Sequence, residues 1–549
     1  MVQNIFSILY QRQTSILSSA VIIMATVVLS KILGLIRDRL LVHTFPPDTV
    51  AIFFAAFRLP DLIFQLIIFG ALSVAFIPVF TEYLEKKDRK EAFELAQSVL
   101  NLAILILFAL TVIVFIFADP LTNLIVPGFN VYQKAQVAQL TRIILVGQLI
   151  LTVGSFFIGI LQSFQRFIIP ALAGVFYNLG IIIGILFLSK PLWILGPAVG
   201  VIIGSVLHVL VQLPLVLSMG FKFSLNFSLF HPGVKEITKL MSFRTIGLAA
   251  EQINETVGLI LASLIGAASV TYLTFAQHLQ IVPVGLFGAT LAQAALPVLS
   301  SEKSRGRMDE FKATLLTTLH QILFLALPAA AILIILRIPS VRLVFGASEF
   351  NWEATVLTGR TLGLMSVGLA AQAVSLLLVR GFYAIKDTRT PVFVSLVVVF
   401  VNIILSFYFV RVLLLDVWSL GLAFSISAIL SGLLLFWTLH FKIGGFDLKE
   451  VFIPLSKMLM ATIIMGASLY IPVKLLDQVI FDTTRTVNLL ILTGLASVFA
   501  LSIYIFLVWF MGVRELETFL NLTKRIISKL KASGPKVKTN EFIHDTEAV

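Results

Sequence analysis

Apolar runs of about 20 residues or more, long enough to cross a bilayer as helices, recur along this 549-residue chain from residue 16 to residue 511. This pattern limits the fold more than any single motif. Within hydrocarbon every backbone N–H and C=O must find a partner inside the protein, so only helices and closed barrels span a membrane. The alternating segments of about ten residues that mark barrel strands are missing, which leaves helices. Composition agrees: 59% of residues are hydrophobic and 12% charged, against about 25% charged in soluble domains. Forty Lys and Arg with 28 Asp and Glu cannot cover that much apolar surface in water. With no Cys the chain is not a disulfide scaffold. The net charge of +12 is scattered through the loops, so nucleic acid is not an expected partner.

The expected fold is an all-α polytopic membrane protein with fourteen transmembrane helices. The spans fall near 16–36, 50–80, 92–117, 138–162, 168–189, 193–218, 236–262, 270–299, 312–336, 355–382, 390–410, 418–439, 452–473 and 488–511. The first reads as a retained span, since no cleavage site precedes polar sequence. With an even number of spans both termini share a side. The connections on that side carry 24 Lys and Arg against nine on the other, so both termini are expected in the cytoplasm. An internal repeat is visible. Residues 72–79 and 291–298 end spans two and eight with similar Pro-containing runs, and the turns after spans four and ten share a Gly, polar, Pro order. Six spans separate each pair, which gives two parallel pseudo-symmetric lobes of six helices with the site between them. The divisions are 1–218 for the N-terminal lobe, 219–235 for a cytoplasmic linker, 236–440 for the C-terminal lobe, 441–511 for spans 13 and 14, and 512–549 for a basic tail, disordered from Lys531.

Charges at membrane depth are unfavourable and face a cavity or the protein interior. In span two Arg58, Asp61 and Gln65 fall at i, i+3 and i+7, on one face. Arg244, Glu251 and Glu255 form a stripe in span seven. Gln277 and His278 stand in span eight shortly before Pro283 and Gly285. Span one ends with Lys31, Arg37, Asp38 and Arg39, and its Ser30 and Gly34 have a close-packing spacing. In the first group Lys31, Arg37, Arg39 and Arg58 outnumber Asp38 and Asp61. That excess suits an anion, with Arg giving bidentate phosphate contacts and Lys a point charge. The expected substrate-binding residues are therefore Lys31, Arg37, Asp38, Arg39, Arg58, Asp61, Gln65, Gln277 and His278. Arg244, Glu251 and Glu255 are candidates for ion binding or gating, and Gly34, Pro60, Pro283 and Gly285 for hinges. Plainer readings stand beside these. Arg37, Asp38 and Arg39 would be an interfacial cluster snorkelling to head groups, Arg58 and Asp61 a structural pair, Glu251 and Glu255 partners of Arg244 or of the first helix, and His278 a lining residue. With no Walker sequence and no Cys/His cluster, neither ATP hydrolysis nor a catalytic, metal or cofactor site is expected. An ion gradient, the membrane potential or the substrate gradient is left to drive any transport.

Several ordered elements carry a resemblance. Ser30-Lys31-Ile32-Leu33-Gly34-Leu35-Ile36-Arg37-Asp38, Phe57-Arg58-Leu59-Pro60-Asp61-Leu62, Gly70-Ala71-Leu72-Ser73 with Ala75-Phe76-Ile77-Pro78, Pro127-Gly128-Phe129, and Gly381-Phe382-Tyr383-Ala384 with Asp387-Thr388-Arg389-Thr390-Pro391 resemble elements of the MurJ (MviN) family of lipid II flippases. That family lies within the multidrug/oligosaccharidyl-lipid/polysaccharide exporter superfamily. The resemblance implies a flippase rather than an enzyme, placed in the bacterial plasma membrane. It would move the undecaprenyl-pyrophosphate-linked peptidoglycan precursor to the outer leaflet by alternating access, the pyrophosphate held by cavity Arg and Lys. Arg37, Asp38 and Arg58 match family cavity positions, Lys31 replaces an Arg, and spans 13 and 14 would hold the lipid tail. Cell-wall synthesis proteins stay open as partners, and a monomer is expected.

The departures from the family pattern are specific. Phe64 and Phe69 occupy positions where the family commonly has Arg and Glu, Ala51 stands at an acidic position, and Gln277-His278 replaces a pair ending in Arg. The alternatives kept open are a flippase for another polyprenyl-linked glycan, a cation-coupled drug antiporter supported by Glu251 and Glu255, and a non-transporting scaffold.

Overall fold

The apolar runs fold as helices. In the computed structural model the described residues are 16–69, 75–224, 231–346, 348–479 and 486–517. They form α1 (Ile16–Thr44), α2 (Pro47–Phe64), α3 (Ile77–Lys86), α4 (Arg89–Ile116), α5 (Ala118–Ile125), α6 (Val131–Ser163), α7 (Ile168–Ile183), α8 (Ser189–Leu192), α9 (Leu195–Ser218), α10 (Pro232–Ile265), α11 (Ala267–Pro283), α12 (Thr290–Ser304), α13 (Met308–Ile335), α14 (Arg337–Phe345), α15 (Trp352–Val367), α16 (Leu369–Ala384), α17 (Arg389–Phe407), α18 (Trp418–Lys442), α19 (Leu448–Val479) and α20 (Thr486–Phe510). Among the described residues twelve helical segments are long and apolar enough to cross a membrane, or thirteen if α15 and α16 count as one span. The Gly70–Ser73 element, the first 15 residues and the tail beyond 517 lie outside the described residues.

The sequence suggests one continuous span over 355–382. Instead α15 and α16 meet at a 45° bend at Gly368. A Cβ there would sit 2.8 Å from the Ser425 Cα, and the Gly368 N–H donates to Ser425 Oγ at 2.9 Å. Only a residue without a side chain lets the broken helix press its backbone on α18.

Paired features recur along the backbone. π-Helical turns occur at Gln65–Phe69 and Val284–Ala289, and again at Gly184–Leu188 and Tyr408–Val412. Each pair lies six spans apart. Non-glycine residues with positive φ pair in the same way, Gln165 with Lys386 and Trp193 with Leu414. The short helices α5 and α14 each follow a long span after a single residue. Two of these turns follow the proposed hinges: the first comes after Pro60 and the second directly after Pro283, with Gly285 inside it. A Pro removes one N–H from the helical ladder; at Pro60 the carbonyl left free, that of Ala56, accepts from Thr141 Oγ1 at 3.2 Å.

Three apolar clusters hold the bundle. One, with Phe76, Phe80, Phe157 and Val216, comes from α2–α9 and the start of α10. A second, with Leu315, Ile322, Leu377, Phe382 and Tyr504, lies wholly after residue 283. The third mixes both groups, bringing Leu41, Phe45, Phe53 and Ile144 against Phe275, Phe345 and Leu420. It sits at the bundle end where α1 runs into α2 and α10 into α11. There Arg39 Nη1 donates to the carbonyls of Leu343 and Val344 at 2.7 and 3.2 Å, and Thr271 Oγ1 donates to the Pro47 carbonyl at 2.7 Å. A Cβ on Gly128 would lie 1.9 Å from the Ser263 carbonyl oxygen, so that loop closes backbone on backbone. Among the described candidate spans α17 is the least enclosed, with Phe393, Phe400, Ile404 and Phe407 exposed on it.

Two expectations follow. Gly180 would place a Cβ 2.2 Å from Gly204 Cα where α7 crosses α9, whereas Gly494 meets nothing within 4 Å. Thermal unfolding in detergent should show Gly180→Val destabilising by about 1–3 kcal/mol, with Gly494→Ala neutral or slightly stabilising. At the turn before α17, burial alone would raise the Asp387 carboxyl, but hydrogen bonds from Lys442 and Thr390 outweigh it and bring it from 3.8 down to about 2. A lowered folded value stabilises above the ordinary one and is lost as pH falls through the folded one. Asp387→Asn should therefore lower the melting temperature at neutral pH, with the gap from wild type closing between pH 3.8 and about 2.

Candidate functional site

Between the two groups of helices lies a cavity of 690 Å³. Its charged wall comes from the first group and α10: Arg37 of α1, Arg58 and Asp61 of α2, and Glu251 and Glu255 of α10. The facing wall is mostly amide and apolar, with Gln277, His278 and Gln280 of α11, Gln372 of α16, Asn402 of α17 and Phe424 of α18.

Arg58 is 9% exposed, and each nitrogen of its guanidinium donates to α10. Nε reaches Thr256 Oγ1 at 2.8 Å, Nη1 the Glu255 carboxylate at 2.7 Å, and Nη2 the backbone and side-chain oxygens of Gln252, both at 2.6 Å. Gln252 Nε2 in turn donates to Gln65 Oε1 at 2.8 Å. The planar fork of Arg suits such a multi-pronged contact, which a Lys cannot copy. Asp61 accepts from Gln148 Nε2 at 2.6 Å.

A second knot ties α1 to α11. Asp38 is 1% exposed. Its Oδ1 accepts from Arg37 Nη2 at 2.7 Å and from Arg37 Nε at 3.0 Å, and its Oδ2 lies 2.6 Å from His278 Nδ1. Asn178 of α7 accepts from Arg37 at 3.4 Å and is itself held by Ser30 and Gly174. Neutral amide pairs continue the wall: Gln280 with Gln372 at 2.8 Å, and Asn402 with Asn254 at 2.7 Å.

The structure thus gathers Arg37, Arg58, Asp61, Gln65, Gln277, His278, Glu251 and Glu255 on one cavity, with Asp38 behind Arg37. Two expected members stand elsewhere. Lys31 is exposed and off the wall, and Arg39 serves the contact with α14 at the bundle end. Among the described residues the expected cationic excess is therefore absent: the wall carries two guanidiniums against three carboxylates. A helix turns about 100° per residue, so adjacent charges such as Arg37 and Arg39 cannot all face one space. The Arg244 side chain lies outside the described residues. Gly34 sits within α1, where a Cβ would lie 4.0 Å from Asn178 Oδ1. Phe64 is on the wall, so an apolar ring stands where the family resemblance expects charge. Sequence reasoning passed over Gln148, Tyr177, Asn178, Gln252, Thr256, Gln372 and Asn402. The available signal was an isolated amide or hydroxyl inside an apolar span, which needs a partner just as a charge does.

A profile described as lipid II flippase MurJ matches residues 46–487. The chain belongs to that family. A probable lipid II flippase MurJ of Buchnera aphidicola (subsp. Schizaphis graminum) is 27% identical over 519 residues, covering 92% of this chain and 98% of that protein. One of Bdellovibrio bacteriovorus is 28% identical over 495 residues, covering 88% and 92%. A solved lipid II flippase MurJ in an inward closed conformation superposes with a TM-score of 0.72 at 25% identity, over 88% of this chain and 98% of that one. An inward-facing multidrug resistance MATE family transporter shares the fold, with a TM-score of 0.64 at 15% identity over 77% and 98%. The family is one of flippases, and its members are membrane proteins of many spans.

The Arg58 contact makes an energetic claim. Removing one partner of a buried pair costs about 3–5 kcal/mol, less where a partner is solvated, and Glu255 is 47% exposed. Arg58→Ala should destabilise by about 2 kcal/mol or more. In a double-mutant cycle with Glu255→Gln the coupling energy should be clearly non-zero; zero coupling would show that the pair does not form.

Proposed function

We propose that this protein moves lipid II, the undecaprenyl-pyrophosphate-linked peptidoglycan precursor, from the inner to the outer leaflet of the bacterial plasma membrane. The observation that carries this reading is that the family match spans 46–487 and contains every wall residue of the cavity except Arg37. No covalent bond is made or broken. Fourteen spans result when α1 and the bent pair α15–α16 are each counted, with both termini cytoplasmic. Residues 1–218 and 236–440 are the two lobes and 219–235 their linker. Residues 441–511 give the groove for the lipid tail and 512–549 the cytoplasmic tail. The repeated turns and the separate apolar clusters support this division.

The pyrophosphate enters between the lobes and competes with Glu255 for Arg58 and with Asp38 for Arg37. In the low dielectric of the cavity such charge-assisted contacts are stronger than in water. Taking Arg58 from α10 loosens the tie between α2 and α10, so the cargo acts on the lobe contact because it binds the two arrangements differently. Net charge moved across the membrane couples transport to the membrane potential at about 2.3 kcal/mol per charge per 100 mV. A second reading has one observation behind it. Three carboxylates on the wall suit a cation-coupled antiporter of the same superfamily.

The test is complementation of cells depleted of their own lipid II flippase, with outer-leaflet lipid II assayed directly. Wild type should restore growth and outer-leaflet lipid II. Arg37→Ala should insert normally and lose at least tenfold of that signal. Normal transport by Arg37→Ala removes the cavity Arg from the mechanism. A properly inserted wild type that leaves lipid II inside and exports organic cations selects the antiporter.

A further inference from the structure

His278 has two chemically different nitrogens. Nδ1 faces the Asp38 carboxylate at 2.6 Å, and that carboxylate already accepts two hydrogen bonds from Arg37. A contact this short needs one proton between the two atoms, and because Arg37 holds Asp38 as a carboxylate that proton is assigned to Nδ1. The ring stands edge-on to Phe54 at 5.9 Å and 87°, which fixes its plane. Its Nε2 has no protein partner among the described residues, and the side chain is 34% exposed on the cavity wall. With Nδ1 carrying the proton, a neutral ring presents a lone pair at Nε2. Only the imidazolium presents an N–H there.

That difference matters to an anion. A phosphate oxygen is repelled by the lone pair and accepts a charge-assisted bond from the N–H. The other charged groups around the ring are Arg37 and Asp38 of α1, Arg58 and Asp61 of α2, and Glu251 and Glu255 of α10. Tyr177 of α7 is also titratable, while the wall residues of α15–α18 are uncharged. Both guanidiniums described on the wall already hold a carboxylate, so among the described wall residues positive charge can be added at His278 without breaking a pair.

We propose that His278 is a proton-dependent contact for the anionic head group: the pyrophosphate binds together with one proton, which is taken from water and held on Nε2. This rests on the cargo assigned above. Asp38 thereby acts as a positioning residue, fixing which nitrogen faces the cavity.

The experiment uses the full chain in lipid nanodiscs with undecaprenyl pyrophosphate as the probe, from pH 5.5 to 8.5, the range in which imidazole titrates. Wild-type affinity should fall with rising pH, approaching about tenfold per unit on the alkaline side, the slope of a one-proton linkage. His278→Arg keeps a donor at every pH, so it should bind tightly at high pH and lose that slope. His278→Gln should bind weakly throughout. The probe titrates as well, so the difference between wild type and His278→Arg is the quantity read. Proton uptake on binding, measured in two buffers of different ionisation heat, should approach one for wild type and fall by that amount in both variants. Equal affinity and slope in wild type and His278→Arg, or no extra proton taken up by wild type, overturns the proton link and leaves the cargo standing. Failure of the stably folded wild type to bind the probe at any pH overturns the cargo and this proposal with it.

Discussion

Arg58 is a cation at membrane depth that is tolerated because another group of helices completes its hydrogen bonds. Every nitrogen of its guanidinium donates across to α10. An unpaired guanidinium in that position would carry a desolvation penalty of several kcal/mol, so α2 and α10 are bound to each other by the cost of separating them. Asp38 repeats the arrangement behind the wall of the same cavity, shared between Arg37 of the first group and His278 of the second. The cavity exists because polar side chains at these two points need one another more than either group needs close apolar packing there.

This changes how the cavity's charge is understood. Sequence counting suggested a basic chamber waiting for an anion, whereas the wall is a set of closed pairs with surplus carboxylate. An anion entering such a chamber exchanges partners instead of filling an empty positive site. Exchange makes ligand binding and lobe contact compete for the same donors, a direct route from occupancy to rearrangement.

The helical membrane fold was legible because apolar run length responds to one constraint, backbone hydrogen bonding in hydrocarbon. The stripe of Arg58, Asp61 and Gln65 was legible because residues three and seven apart share a helix face. Lys31 and Arg39 were misplaced because being near Arg37 in sequence says little about which way a side chain points. The bend at Gly368 was hidden because the residue that packs against it, Ser425, is 57 residues away. The paired turns were faint in residue identities yet plain in the positive φ of Gln165 and Lys386 and of Trp193 and Leu414. Backbone shape is retained there while side chains differ, because the turn is fixed by what it connects.

α17 carries Asn402 and Ser406 on the cavity wall and Phe400, Ile404 and Phe407 exposed on its other side. At that place the wall is a single helix, about 10 Å thick. An amphiphile with its polar end inside and its chains outside need bridge only that width. The thickness of one helix is therefore all that separates the polar interior from the apolar exterior at that place.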